Sequence, residues 1–202
     1  SGALIIPDGV TEIKDGAFNN CSNLTSLQLP PNLKVLDGFF GCSSLSGTLN
    51  IPSTVTTIGG YAFSNTEFNG TLILPKELTS LGSNVFSGCW RLSGVVEIPE
   101  NIIAIPSQLF YNCKNIEGIV LHKDVEVIES EAFAGCFYIT SLVSKAKNRT
   151  IQACWEWNNF EVAFKNENGV LPDKKKHMDG MSQDGYVNRI LKDEFYQMYF
   201  QL

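Results

Sequence analysis

The chain is short of the residues on which most site chemistry depends: among 202 residues there are two histidines, three methionines and no Cys-x-x-Cys pair. That leaves little room for a histidine-based triad or a zinc hydrolase. No run of about 18 apolar residues exists, so no segment has the length of a membrane-spanning helix. No basic-then-apolar stretch at the N-terminus reads as a signal peptide. Positive charge is also scarce, with 15 Lys and Arg against 21 Asp and Glu for a net charge of −6. The deficit lies in the first 144 residues, which hold 6 Lys/Arg against 13 Asp/Glu; the remainder holds 9 against 8. An acidic body repels phosphate backbones, so nucleic acid is not an expected partner. The run Lys174-Lys175-Lys176 is too small and isolated to alter that and reads as a solvated loop.

What the chain does have is a repeat. Ile128-Glu129-Ser130-Glu131-Ala132-Phe133-Ala134-Gly135-Cys136 recurs upstream as Ile13 to Ala17-Phe18 to Cys21, Leu36 to Phe40 to Cys42, and Ile58 to Ala62-Phe63 with Thr66 in the Cys slot. It continues as Leu81 to Phe86 to Cys89 and Ile105 to Phe110 to Cys113. A second landmark, Ile6-Pro7, Leu29-Pro30, Ile51-Pro52, Leu74-Pro75, Ile98-Pro99 and finally Leu121-His122, steps by 23, 22, 23, 24 and 23 residues. A period in this range belongs to leucine-rich repeats, in which each coil buries its apolar side only by stacking on its neighbours.

Within a repeat such as Leu24 to Leu36, apolar residues alternate at Leu27 and Leu29 and the chain then meets proline. Alternation predicts a short strand with one buried face, and proline removes a ladder donor and ends it. The following segment into Ala-Phe-x-x-Cys is too short for an independent helix and reads as a turn or one or two helical turns. In Phe40-Gly41-Cys42 the Phe-to-Cys interval reads as one residue short. Gly47, Gly70 and Gly94 sit at one-residue insertions and predict bulges or positive-φ turns. Five of the six cysteines share one column, so their side chains point the same way and cannot converge as a disulfide requires. They are expected to be free, buried and apolar in role, without metal.

The pattern Leu-x-x-Leu-x-Ile-Pro-x-x-Val-x-x-Ile-x-x-x-Ala-Phe-x-x-Cys-x-x-Leu, running from Leu4 to Ile139, resembles the BspA-like, or treponemal-class, leucine-rich repeats. The resemblance implies an α/β repeat solenoid, a right-handed coil with a parallel sheet on one face, over residues 1–144 in about six coils of ~23 residues. It also implies a bacterial cell-surface or secreted protein engaged in adhesion or partner recognition, and supplies no catalytic residue. The first repeat begins part-way, at Leu4, without a polar cap, so the expectation is that something precedes Ser1 in the natural protein.

From Lys145 to Leu202 the repeat fails. Trp155, Trp157, Phe160, Val162 and Phe164 read as a hydrophobic cap, with an aromatic ligand platform as the alternative. Residues 165–185 read as a loop, and placing Gly185 at the invariant turn of a calcium loop puts Leu191 where the bidentate Glu belongs, which excludes that motif. Val187, Ile190, Leu191, Phe195, Met198, Tyr199 and Leu202, spaced by threes and fours, predict an amphipathic terminal helix with Asp184 as N-cap. Its apolar stripe is expected to fold back on the cap rather than meet a membrane, since few basic residues flank it.

With His122 reading as a variant turn residue, and Glu126, Glu129 and Glu131 forming no isolated acid/base pair, surface is what remains. The outward strand positions on successive coils are Gln28, Asn50, Ile73, Glu97, Val120 and Val143, with Ser26, Thr48, Thr71, Val95, Gly118 and Ser141 one step earlier. Coils ~4.8 Å apart make this a face about 25 Å across, a width that suits a protein segment better than a small metabolite. The face either docks a partner or meets the terminal helix. The sequence therefore points to a non-enzymatic binding module without a cofactor, and the resemblance implies an extracellular or cell-surface location for it. The alternatives are a structural spacer and a glycan-binding module built on Trp155 or Trp157.

Overall fold

The computed structural model describes residues 2–139 together with the strand segments Ser141–Ser144 and Gln152–Ala153. In chain order the strands are β1 (Gly2–Ile5), β2 (Leu24–Gln28), β3 (Val35–Leu36), β4 (Ser46–Thr48), β5 (Thr57–Ile58), β6 (Glu67–Thr71) and β7 (Ser80–Leu81). They continue as β8 (Leu92–Glu97), β9 (Ala104–Ile105), β10 (Ile116–Leu121), β11 (Val127–Ile128), β12 (Ser141–Ser144) and β13 (Gln152–Ala153). All pairings are parallel and link one coil to the next. β1 pairs with β2, and β4, β6, β8, β10 and β12 form a five-stranded wall. The short strands form a second wall in two parts, β3-β5-β7 and β9-β11-β13. From the second repeat onward the Val-x-x-Ile segment, which the sequence reading left without a strand, thus ends in a strand of its own, and in the first it forms the isolated bridge Glu12 to Val35. Among the described residues the fold is a parallel β-solenoid of about six turns.

No helix occurs among the described residues, so of the two readings of the Ala-Phe-x-x-Cys segment, a turn or one or two helical turns, the plain turn is the one present. The reason lies in where the backbone donors go. The amides of the Phe residue and of the residue two later donate to the next coil instead of to their own chain four residues back. Phe63 N–H reaches Val85 O at 3.0 Å, Asn65 reaches Ser87 O at 2.8 Å, Phe110 reaches Ala132 O at 2.8 Å and Asn112 reaches Ala134 O at 2.7 Å. Satisfying these donors across coils leaves none for an α-helical turn. The turns form a third hydrogen-bonded side to the solenoid.

A column of parallel rings fills the interior. Phe18, Phe39, Phe63, Phe86, Phe110 and Phe133 stack with centroids 5.1 to 6.1 Å apart and planes within 14° of parallel. Offset stacking at this distance suits the ring quadrupoles and seals the column. Phe39, not Phe40, occupies the second coil's place in it; Phe40 is half-buried and meets Tyr61 edge-on at 5.9 Å. The Phe-to-Cys interval of that coil is therefore unchanged. The missing residues lie earlier, where Asp37-Gly38 alone joins Leu36 to Phe39 while the third coil has Gly59-Gly60-Tyr61-Ala62 between Ile58 and Phe63. Gly38, at φ +84°, makes the shortcut possible, because a Cβ there would stand 2.5 Å from Lys14 O. The bulge glycines Gly47, Gly70 and Gly94 all have positive φ, as their insertions predict.

The residue two after each Phe is left-handed in every coil, and its identity alternates: Asn20, Gly41, Asn65, Gly88, Asn112, Gly135. Asn and Gly are the residues that enter this region at least cost. The alternation also has a packing cause. A Cβ on Gly41, Gly88 or Gly135 would fall 2.4, 2.4 or 2.2 Å from the side-chain oxygen of Asn20, Asn65 or Asn112. Each Asn side chain occupies the room that the next coil's missing Cβ leaves free, so the true packing unit of this side is two coils.

Candidate binding surface

The cysteine column is dry and unbridged. Cys42, Cys89, Cys113 and Cys136 are free and buried, whereas Cys21, on the first coil, is free and exposed. Each buried thiol donates to the carbonyl of the preceding coil's Phe: Cys42 to Phe18 at 3.0 Å, Cys89 to Phe63 at 3.0 Å, Cys113 to Phe86 and Cys136 to Phe110 at 2.9 Å. Thr66, in the slot without cysteine, donates to Phe63 O at 2.8 Å. Burial pushes the Cys89 thiol up to about 11 and the Cys136 thiol up to about 12, and raises Cys113 and Cys42 as well. Neutral thiols in hydrogen bonds are poor nucleophiles and poor ligands, and among the described residues no group of three His, Cys, Asp or Glu could hold a metal ion.

The other polar candidates are structural fasteners. His122 is buried; its Nδ1 accepts from Asp124 N–H at 3.2 Å, which leaves the protonated Nε2 to donate to Ile102 O at 2.9 Å. It replaces proline at the strand exit by tying two coils together. Glu129 accepts the Ser107 amide at 2.9 Å, and Glu131 accepts the Gln108 side-chain amide, which in turn accepts from Asn84. Carboxylates occupied in this way are not an acid/base pair. Asp37 lies across Gly59, where a Cβ would collide with its carboxylate; burial raises its carboxyl above the ordinary range, partly offset by the Gly38 N–H it accepts at 2.6 Å.

The outward strand columns fall mainly where alternation places them. Gln28, Asn50, Thr48, Thr71, Ile73, Val95 and Glu97 are exposed, Ile73 to 74%. Ser26 and Ile5 extend the same face into the first coils. Two positions differ: Val120 is half-buried and Gly118 is buried. Val143 and Ser141 lie in β12, paired with Val120 and Gly118. The face is sparsely charged: Glu97 is the acidic residue among these positions, and Glu117 stands exposed at the bulge of β10.

A second surface was not singled out from the sequence. The residue after the cysteine slot sits in a tight turn, in which Trp90 N–H donates to Gly88 O at 2.9 Å and Lys114 N–H to Asn112 O at 3.0 Å. Nothing in that turn calls for a large side chain, and the first two coils place Ser22 and Ser43 there. The fourth to sixth coils place Trp90, Lys114 and Phe137, with Arg91 and Tyr138 alongside. Trp90, Phe137 and Tyr138 are exposed to 45, 52 and 62%. Arg91 lies over the Trp90 ring at 5.4 Å and pairs with Glu67 at 3.2 Å. Lys114 makes no ion pair with a described residue. The signal that could have found this ridge is the change from Ser to aromatic or basic residues in one repeat column. The Trp155 and Trp157 platform, the cap, Cys154, His177 and the terminal helix lie outside the described residues.

Solved structures share this architecture. A leucine-rich repeat protein from T. pallidum, TpLRR, aligns over 76% of this chain and 72% of its own at 23% identity, with a TM-score of 0.65. The pneumococcal vaccine antigen PcpA aligns over 77% of this chain at 20% identity and a TM-score of 0.52, and this chain spans 42% of its length. No curated protein sequence matches. Residues 2–46 and 34–159 match the BspA type leucine rich repeat region in six copies, with the Ile-Pro, Ala-Phe and cysteine columns that the coils display, and the chain belongs to that family.

Proposed function

We propose that this chain is a non-enzymatic protein-recognition module of a cell-surface or secreted bacterial protein, with the outward strand face as its contact surface. The observation that carries the reading is the regular, sparsely charged face of exposed side chains from Ser26 to Glu97, with Ile73 and Val95 standing out of it. Large exposed aliphatic side chains on an otherwise polar sheet mark contact surfaces, and neither side chain belongs to the buried core. His122, Glu129 and Glu131 are engaged in holding coils together. The description of one fold neighbour as a vaccine antigen supports an outward-facing setting.

The test is recovery of a binding protein from surface extracts by the immobilised full chain, identified by mass spectrometry, in parallel with Ile73→Asp. Ile73 is exposed, so the substitution leaves the coil intact. A protein recovered by the native chain and lost with Ile73→Asp supports the reading. Equal recovery by both, or none by either, contradicts it and favours a spacer role. Val120→Asp is a poorer probe than the sequence suggests, because Val120 is half-buried.

A further inference from the structure

We propose that the ridge of Trp90, Lys114 and Phe137 is a binding site for an extended acidic glycan in which uronic acids alternate with neutral sugars. The site is separate from the outward strand columns, so the inference does not rest on the protein recognition proposed above. Its starting point is one repeat column, the residue after the cysteine slot, which reads Ser22, Ser43, Glu67, Trp90, Lys114, Phe137. The turn has no need of a large side chain there, since serine serves in the first two coils. Yet Trp90 and Phe137 stand exposed, and so does Lys114 on the coil between them. Aromatic rings held in water beside cations are the composition of contact surfaces.

The ridge is ordered without a ligand. Its turns lead into β8, β10 and β12, which are adjacent in the five-stranded wall, and Tyr138 N–H donating to Lys114 O at 3.3 Å keeps the last two turns in register. Arg91 lies over the Trp90 ring at 5.4 Å and is itself held by Glu67 at 3.2 Å, which steadies the ring and balances the guanidinium. Lys114, without an ion pair among the described residues, carries the ridge's remaining positive charge. The order along the solenoid axis is aromatic, cation, aromatic.

Successive coils lie ~4.8 Å apart, about the advance of one pyranose ring along an extended glycan, so three successive sugars meet three successive coils. The C–H face of a pyranose packs on an aromatic ring by dispersion and burial of apolar surface, which suits a neutral sugar to Trp90 and to Phe137. A carboxylate on the sugar between them pairs with Lys114. A peptide strand matches the pitch less well, because its side chains recur on one face only every ~6.6 Å. Charge density narrows the glycan further. The solenoid is acidic, with Glu67 in the ridge column and Glu117 exposed at the β10 bulge, and a polyanion with a charge every ~1.7 Å, as in nucleic acid, is repelled. In an alternating glycan the carboxylates fall two coils apart, ~10 Å, beyond the Debye length of ~8 Å at physiological salt. The central carboxylate therefore meets Lys114 at little cost from its neighbours.

The test measures binding of the full chain to immobilised hyaluronan oligosaccharides, unsulfated chains of alternating glucuronate and N-acetylglucosamine, by biolayer interferometry. Immobilised dextran and a polyglutamate peptide run in parallel. The proposal expects binding to hyaluronan and at least about tenfold weaker binding to the other two. Trp90→Ser and Phe137→Ser, which install the residue of the first two coils, should each weaken hyaluronan binding about tenfold, the worth of one stacked ring. Lys114→Gln should weaken it by up to about fivefold and flatten its salt dependence, while Lys76→Gln, at an exposed lysine away from the ridge, should change neither. All four side chains are exposed, so the unfolding midpoint should not move and a loss reads the contact. Absence of binding to hyaluronan, equal affinity for dextran, or a loss in Lys76→Gln as large as in Lys114→Gln each overturn the proposal. Tighter binding to polyglutamate with the same dependence on Trp90 and Phe137 also overturns it and assigns the ridge to a protein segment.

Discussion

In the first coil Phe18 is half-buried and Cys21 faces water, whereas in the fourth coil the equivalent Phe86 and Cys89 are sealed. The two coils carry the same residue types at these positions. What differs is that coil four has a described neighbour on both sides, and burial in a solenoid is conferred by neighbours. The outer turn shows the reverse relation. There the second and fourth coils both have a described neighbour on each side and the residues differ, Ser43 in the one against Trp90 in the other. The interior is thus set by stacking and repeats itself, while the exterior is free to vary. Departures from the repeat on the outside carry information about contacts that the interior does not.

The comparison can be broken most directly at the ring column. Phe86→Ala removes a ring stacked on Phe63 and Phe110 and should cost about 3–5 kcal/mol, while Phe18→Ala, stacked on one side, should cost less than half of that. Urea unfolding followed by circular dichroism reads both, and equal losses would show that neighbours do not decide burial. A smaller effect is expected at the left-handed turns. Gly88→Ala puts a methyl against Asn65 at φ +76°, whereas Gly16→Ala, at φ +78°, meets no atom within 4 Å. The first should cost about 1–3 kcal/mol, the second only the backbone part of it. Adding Asn65→Gly should recover part of the Gly88→Ala loss, because the two side chains compete for one space; additive losses would refute the two-coil packing unit. The smallest effect belongs to Asp37. Its raised carboxyl means that the neutral form is favoured in the fold, a stabilisation fully present below the usual carboxylate value and lost as pH rises through the raised one. Asp37→Asn should therefore raise the midpoint slightly near neutral pH and leave it unchanged in acid, and a lower midpoint near neutral pH would contradict the assignment.

The period, the free cysteine column, the bulge glycines and most of the outward face were legible in the sequence because each is a single residue type recurring at a fixed interval. The second coil was not. Phe39-Phe40 offers two rings, and counting forward from Leu36 selects the wrong one unless the two-residue deletion before Phe39 is recognised. The Asn/Gly alternation escaped because it repeats every second coil, where a search for single-coil identity sees only variation. Spacing alone left the Ala-Phe-x-x-Cys segment between a turn and helical turns, because it says nothing of donors that leave for the next coil. Val120 and Gly118 show the limit for the binding face: alternation gives the side of the sheet but not what else covers it.

Thiol alkylation, mapped residue by residue in the folded protein at about pH 8, tests the stacked dry column most directly. Burial holds Cys42, Cys89, Cys113 and Cys136 as neutral thiols donating to the coil before them, so these four should stay unmodified until the protein is unfolded in urea, while the exposed Cys21 reacts. Modification of any of the four at the rate of Cys21, or recovery of any two of them as a disulfide, would contradict the coil assignment on which the account rests.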